Sequence, residues 1–155
     1  MTEIVFTAMA ASEAEAFRNG KPDANGQNPE PSIAVGTYPC RVCLGQIKDG
    51  EAMLLLAYRP FPHLQPFAET GPIFIHAEAC EPPAADDILP PMLDSPDYIV
   101  RGYSHIDRIV YGTGAVTATG EIADRAKELL GRDDIAYVHV RSARNNCYQC
   151  RIDRA

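Results

Sequence analysis

The chain has 155 residues, 46% of them hydrophobic and 23% charged, which suits one soluble domain with a core of its own and excludes a disordered or collagen-like chain. Its formal charge is −7, with five Lys or Arg against fourteen Asp or Glu in residues 1–97 and nine against seven in residues 98–155. That balance disfavours a nucleic-acid partner, and no apolar run approaches the roughly 18–20 residues of a membrane span.

Residues 3–8 carry Ile, Val, Phe and Thr and read as a strand. Ser12 with Glu15 three residues on has the capping-box spacing, predicting a short helix that stops at Asn19-Gly20. Residues 21–31 are almost all polar residues, Gly or Pro and read as an exposed loop. A brief strand follows at 33–35, then a turn over 45–50. Residues 51–59, with Met53, Leu54, Leu55 and Leu56 consecutive, predict a strand buried on both faces. Residues 72–76 make another strand. One helical turn is expected over 77–81, closed by Pro82-Pro83, and another over 86–93.

Residues 98–103 and 108–111 read as two strands of a hairpin. Thr117 or Thr119 caps a helix that places Ile122, Ala126, Leu129 and Leu130 on one face and ends at Gly131. Residues 135–140 and 147–152 close the chain as two strands. The elements do not alternate as in a doubly wound fold, so the expectation is α+β: a single domain over residues 1–155 and one core, with a mostly antiparallel sheet and two or three helices.

Chemistry concentrates between Tyr38 and Cys80. Cys40 and Cys43 form a C-x2-C, and His76 and Cys80 an H-x3-C. A C-x2-C turn offers two thiolates, and a His and Cys four apart on a helical turn point the same way, so these four residues form a candidate zinc site. The competing reading is buried thiols packed as small apolar groups. Cys147 and Cys150 lie three apart on a strand, face opposite ways and do not combine into an all-cysteine site. No βαβ unit surrounds Cys40 to support a thioredoxin-like pair.

A nucleophile pocket is the second candidate, built by Cys40 or Cys147 with His76, His105 or His139, because a thiol needs a neighbouring imidazole or cation to become nucleophilic. Alternation in the strand puts Tyr137, His139 and Arg141 on one face, either a solvated sheet face or a binding surface. Arg101, Tyr103, Arg108 and Tyr111 stand beside the Gly112-Thr113-Gly114 turn, where backbone amides hold a phosphate or carboxylate in other proteins, although neither phosphate-loop spacing is present. A small anionic ligand held by Arg101, Tyr103, Arg108, Tyr111, His139 and Arg141 is the resulting expectation.

The segments P-C-R-V-C-L at 39–44, Y-R-P-F at 58–61, E-T-G-P-I-F-I-H-A-E-A-C at 69–80, R-G-Y at 101–103, Y-G-T-G at 111–114 and V-H-V-R-S-A-R-N-N-C at 138–147 occur in order. This combination resembles a bacterial family catalogued as domain of unknown function 1203, over residues 32–154. The resemblance implies a bacterial, cytoplasmic single-domain protein and brings no activity, cofactor or catalytic residue. The absence of a basic and then apolar leader fits that location, and five cysteines in a reducing compartment read as thiols or metal ligands. Three functions therefore stand side by side: a ligand- or metal-binding domain, a cysteine- or metal-dependent hydrolase or transferase, and a protein interaction module.

Overall fold

The computed structural model describes residues 2–155. Ten strands and two helices run in the order β1 (Ile4–Thr7), α1 (Ala11–Arg18), β2 (Glu30–Ile33), β3 (Tyr38–Pro39), β4 (Gln46–Ile47), β5 (Ala52–Tyr58), β6 (Gly71–His76), β7 (Asp97–Tyr103), β8 (Ala115–Ala118), α2 (Ile122–Leu130), β9 (Tyr137–Ser142) and β10 (Tyr148–Arg154). Every strand pairing is antiparallel. Five strands form a sheet in the order β1-β10-β9-β7-β8, three more the sheet β2-β5-β6, and β3-β4 a small hairpin. The α+β expectation holds, with two helices and three sheets.

The apolar residues of α2 explain the larger sheet. Ile122, Ala126, Leu129 and Leu130 recur at helical spacing and bury against Ile4, Phe6, Tyr98, Val100, Val138, Val140 and Ile152, which alternate along their strands and so share one sheet face. The second sheet has its own cluster. Met53, Leu54, Leu56, Ile73 and Ile75 pack with Ala14 and Phe17 of α1 and with Cys40, Val42 and Ile47. A smaller cluster of Phe61, Tyr103 and Tyr137 lies on the other face of the larger sheet. The buried residues thus divide into separate clusters rather than one core.

Several local expectations give way to tertiary constraints. The Ser12 cap does not form: the helix starts at Ala11, after Ala10 and without a side-chain cap, and the Met9 amide just ahead of it donates to the Arg41 carbonyl at 2.9 Å. Strand β2 begins at Glu30, inside the segment read as loop, because residues 30–33 pair with β5. Neither 77–81 nor 86–93 is helical; Pro82-Pro83 and Pro90-Pro91 remove the amides a turn would need. Residues 108–111 contribute only a bridge between Ile109 and Tyr103, and Asp107 turns the chain at φ 61°. The edge strand β8 takes their expected place beside β7, its Ala and Thr residues giving too weak an apolar signal to read. A 3₁₀ turn at Thr119–Glu121 leads into α2 with no side-chain cap, and the Thr119 hydroxyl donates instead to the Ser95 carbonyl.

Gly102 of β7 sits at a close approach between the larger sheet and its neighbours. A Cβ there would lie 3.0 Å from Ile135 Cδ1 and 3.2 Å from Thr113 Oγ1, both in buried side chains. Gly102→Ala is expected to lower stability by about 1–3 kcal/mol in urea unfolding. An unchanged midpoint would mean that Ile135 yields without strain.

Candidate metal centre

The C-x2-C stretch forms the tip of the β3-β4 hairpin. The Leu44 amide donates to the Cys40 carbonyl and the Cys40 amide to the Gly45 carbonyl, each at 3.0 Å. Leu44 takes φ 56° to close the turn, a conformation that costs energy in a non-glycine residue and that its full burial holds in place. The amides of Val42 and Cys43 turn toward the Cys40 sulfur, and the His76 amide donates to it at 3.4 Å.

Strand β6 delivers His76 opposite Met53 of β5. The bend after it, rather than a helical turn, brings Cys80 back. Cys40 Sγ lies 3.9 Å from Cys80 Sγ, and Cys43 Sγ lies 3.7 Å from His76 Nδ1. All four donor atoms fall within 4.8 Å of one another. A tetrahedron with Zn–S bonds of about 2.3 Å has sulfur–sulfur edges of about 3.8 Å, which the 3.9 Å and 3.7 Å separations approach, and the 4.8 Å limit on the set leaves about 1 Å of closure for a zinc-sized ion.

The surroundings serve such an ion. Glu51 Oε1 stands 3.4 Å from His76 Nε2, leaving Nδ1 toward the sulfurs, the carboxylate–imidazole–metal order seen at zinc sites. The same Glu51 oxygen accepts the Lys48 amide. Arg18 donates through Nε to the His76 carbonyl and through Nη2 to Cys80 Sγ at 3.6 Å. Arg41 is buried without a carboxylate partner among the described residues; it donates to the Tyr148 and Pro39 carbonyls, each at 2.8 Å.

The Cys43 hydrogen bond and the backbone amides pull the Cys40 thiol down, against burial. Cys43 is pushed up, first by that same bond, and Cys80 is pushed up by burial and the neighbouring Cys40 charge. Packed this closely, the thiols oppose one another's ionisation. Ionising all three takes a cation.

The other expected site residues lie on the opposite face of the larger sheet. Strand alternation puts Tyr137, His139 and Arg141 on one face, as the sequence predicts, but all three are buried rather than solvated. The chain between β5 and β6, residues 59–70, covers them. Arg101 pairs across the strands with His139, and so does Arg151. Arg101 donates to the Tyr103 hydroxyl, and Glu69 bridges Arg101 at 3.3 Å and Arg141 at 3.1 Å.

Arg108 and Tyr111 stand apart from this group. Arg108 lies over the Phe67 ring, and Tyr111 is 79% exposed. The glycine turn serves the fold: Thr113 is buried and its hydroxyl accepts the Gly102 amide, with β8 intervening before α2. His105 contacts the Asp133 carbonyl. Cys147 reaches the Asn145 carbonyl, and Cys150 sits in the α2 core. All five thiols are free. Sequence reasoning passes over Arg18, Glu51 and Glu69; only the folded chain brings them to these partners.

Four aromatic rings, those of Phe61, Tyr103, Tyr137 and Tyr148, surround the His139 ring with centroids 4.6 to 5.1 Å away. Complete burial, then Arg141, Arg151 and Arg101, hold His139 well below the ordinary histidine range, so it is neutral in the native state. The unfolded chain takes a proton there below about pH 6.5 and thus binds more protons than the native state. Stability therefore falls on acidification from about pH 6.5 downward, with a slope approaching about 1.4 kcal/mol per pH unit from this one group. His139→Phe is expected to remove that share of the slope in urea unfolding between about pH 6.5 and 5. Equal slopes in both proteins would mean that the native ring takes up the proton.

A family model described as "Protein of unknown function (DUF1203)" matches residues 37–154, a span that contains the whole Cys/His cluster and both arginines bridged by Glu69. No curated protein and no solved structure matches the chain. No helix among the described residues is long and apolar enough to cross a membrane.

Proposed function

Because the chain belongs to the DUF1203 family, whose description assigns no activity, we propose from the site itself that it is a zinc-binding domain with a closed structural centre at Cys40, Cys43, His76 and Cys80. The carrying observation is the convergence of three sulfurs and one imidazole nitrogen within 4.8 Å from two distant segments. Thiolate and imidazole donors in a tetrahedral set select zinc over the harder magnesium and calcium ions. With four protein donors the shell is complete, and no position is left for the water that a hydrolytic zinc needs.

Charge favours the same reading. Three thiolates and a neutral imidazole around zinc(II) leave one net negative charge. Arg41, buried beside Cys40 and without a carboxylate, supplies the opposite one; burial pulls its guanidinium down to about 10, and Cys40 is among the neighbouring groups that oppose this. An ion pair of this kind balances charges that would each be costly alone. Thiol ligation suits the reducing interior of a bacterial cell.

Metal analysis of the purified chain without a histidine tag tests this reading. About one zinc per chain is expected, retained in Cys147→Ser and lost in Cys43→Ser or Cys80→Ser. Iron in its place, or no metal, would remove the zinc reading. Zinc removal by a chelator is expected to lower the thermal midpoint and make Cys40, Cys43 and Cys80 reactive to a thiol reagent together.

Glu51 acts one bond further out. Glu51→Gln is expected to keep zinc at full occupancy in excess metal and to weaken its affinity about 10–100-fold in a competition titration. An unchanged affinity would mean that the carboxylate does not orient His76.

A further inference from the structure

Glu69 meets two guanidiniums at once, Oε1 with Arg101 Nη2 at 3.3 Å and Oε2 with Arg141 Nη1 at 3.1 Å. Pairs of guanidinium and carboxylate ordinarily close to about 2.7–2.9 Å, and a matched pair uses two parallel N–H groups of one guanidinium. Glu69 does neither. It spreads one negative charge over two positive ones at long range. Its side chain is 37% exposed, against 16% and 4% for Arg101 and Arg141, so the place its carboxylate takes opens to solvent and the guanidiniums stand behind it.

The segment that carries Glu69 is lightly held. The backbone hydrogen bonds of residues 59–70, from Ala68 to Gln65 and from Glu69 to Phe67, stay within the segment, and none among the described residues joins it to another element. Its attachments to the rest are side chains: Phe61 in the aromatic cluster, Gln65 Nε2 on the Asp107 carbonyl at 2.8 Å, Phe67 against Arg108 and Tyr111, and Glu69 itself.

Closure of the segment is also costly. Beneath it, Nδ1 and Nε2 of His139 and Nε and Nη2 of Arg141 are buried with no hydrogen-bond partner, each forfeiting its hydration for nothing. Phe61 is the ring that the segment lays over His139. These four atoms are shut away from any ligand while the segment is down. What they govern is how readily it lifts.

Glu69 forms part of the wall of a cleft of about 360 Å³, together with Tyr58, Pro60, Asn145 and Tyr148, whereas Arg101 does not reach that wall. We propose that Arg101 and Arg141 form a binding site for a phosphate monoester, that Glu69 occupies it as an internal stand-in, and that the incoming phosphate displaces the Glu69 carboxylate while its organic group lies in this cleft. The donors are the nitrogens that Glu69 now holds, Arg101 Nη2 and Arg141 Nη1. The Tyr103 hydroxyl accepts from Nε and Nη2 of Arg101 at 3.0 and 2.8 Å, and the Asn146 carbonyl accepts from Nη1 of Arg141 at 3.4 Å, so both guanidiniums keep a fixed partner when Glu69 leaves. Charge sets the class of ligand. Arg151 is matched by Asp153, and with Glu69 displaced two guanidinium charges face one place. A dianionic phosphate balances them, and a monocarboxylate does not.

Isothermal titration of the full chain with phenyl phosphate at about pH 7.5, where the monoester is dianionic, tests the proposal. Glu69→Ala, which empties the place, is expected to bind at one saturable site about tenfold or more tighter than the parent. Adding Arg101→Lys or Arg141→Lys to that variant is expected to weaken binding about tenfold, since lysine keeps the charge and loses the planar set of donors. Arg144→Lys, at an exposed arginine paired with Asp97, is expected to bind as the parent does. In the parent, saturating phenyl phosphate is expected to speed hydrogen exchange at the amides of residues 63–69. Equal affinity of parent and Glu69→Ala, or no saturable binding by that variant, overturns the proposal, as does binding that both lysine changes leave intact. Benzoate matching phenyl phosphate on Glu69→Ala overturns the dianion assignment, and inorganic phosphate matching it overturns the use of the cleft. If Glu69→Ala fails to fold, Glu69→Gln takes its place. If neither folds, exchange in the parent decides, and unchanged rates overturn the displacement.

Discussion

A buried guanidinium ties this molecule together. Arg41 lies inside the C-x2-C turn and is almost wholly enclosed, and each of its polar attachments reaches a different element. Its amide donates to Phe74 of β6, its carbonyl accepts Met9 ahead of α1, and its side chain reaches Tyr148 of β10 and Pro39 of β3. An arginine keeps its charge in any environment, so a buried one demands compensation. The thiol cluster beside it is the available source, which makes the electrostatics of the metal centre and the joining of the two larger sheets one problem.

Division of the apolar residues into separate clusters follows from that joint. The β2-β5-β6 sheet closes on α1 and the hairpin tip, and the larger sheet closes on α2. What remains between them is polar or aromatic: Tyr58, Tyr148, Arg151 and the arginines bridged by Glu69. The 59–70 segment, rich in proline and without regular structure, is free to follow this seam because it has few ladder hydrogen bonds to satisfy.

Periodicity made some of this readable from the chain alone. The face of α2 and the positions of β5, β6, β7, β9 and β10 follow from apolar spacing, and the two Cys/His pairs from their separation. The expected reason for the second pair was wrong: His76 ends a strand and Cys80 returns on a bend, so the pair converges through β5-β6 register rather than through helical spacing. That Tyr137, His139 and Arg141 share a face was legible, but their burial was not, since the segment covering them has no period to betray where it packs. Edge strand β8 escaped notice because Ala115, Val116 and Ala118 are exposed and give no two-period apolar signal. Glu51 and Glu69 carry no local signature either. A carboxylate becomes a partner only when the fold brings it to one.

For the proposed zinc centre, the spacing of the donors would also set an order of events in the newly made chain. Cys40 and Cys43 lie in one turn and can capture an ion as soon as they emerge, while His76 and Cys80 close a ring of some forty residues that contains β5 and β6. Closing so large a ring costs conformational entropy, and the cost is met once Met53 has found His76 in the strand register. In the proposed centre, two-coordinate capture would precede strand pairing, and complete enclosure would follow it. A chain whose β5-β6 register has slipped by one residue turns His76 to the wrong side of the sheet and never completes the shell. Full coordination of the proposed centre would then be a record that this pairing was made correctly.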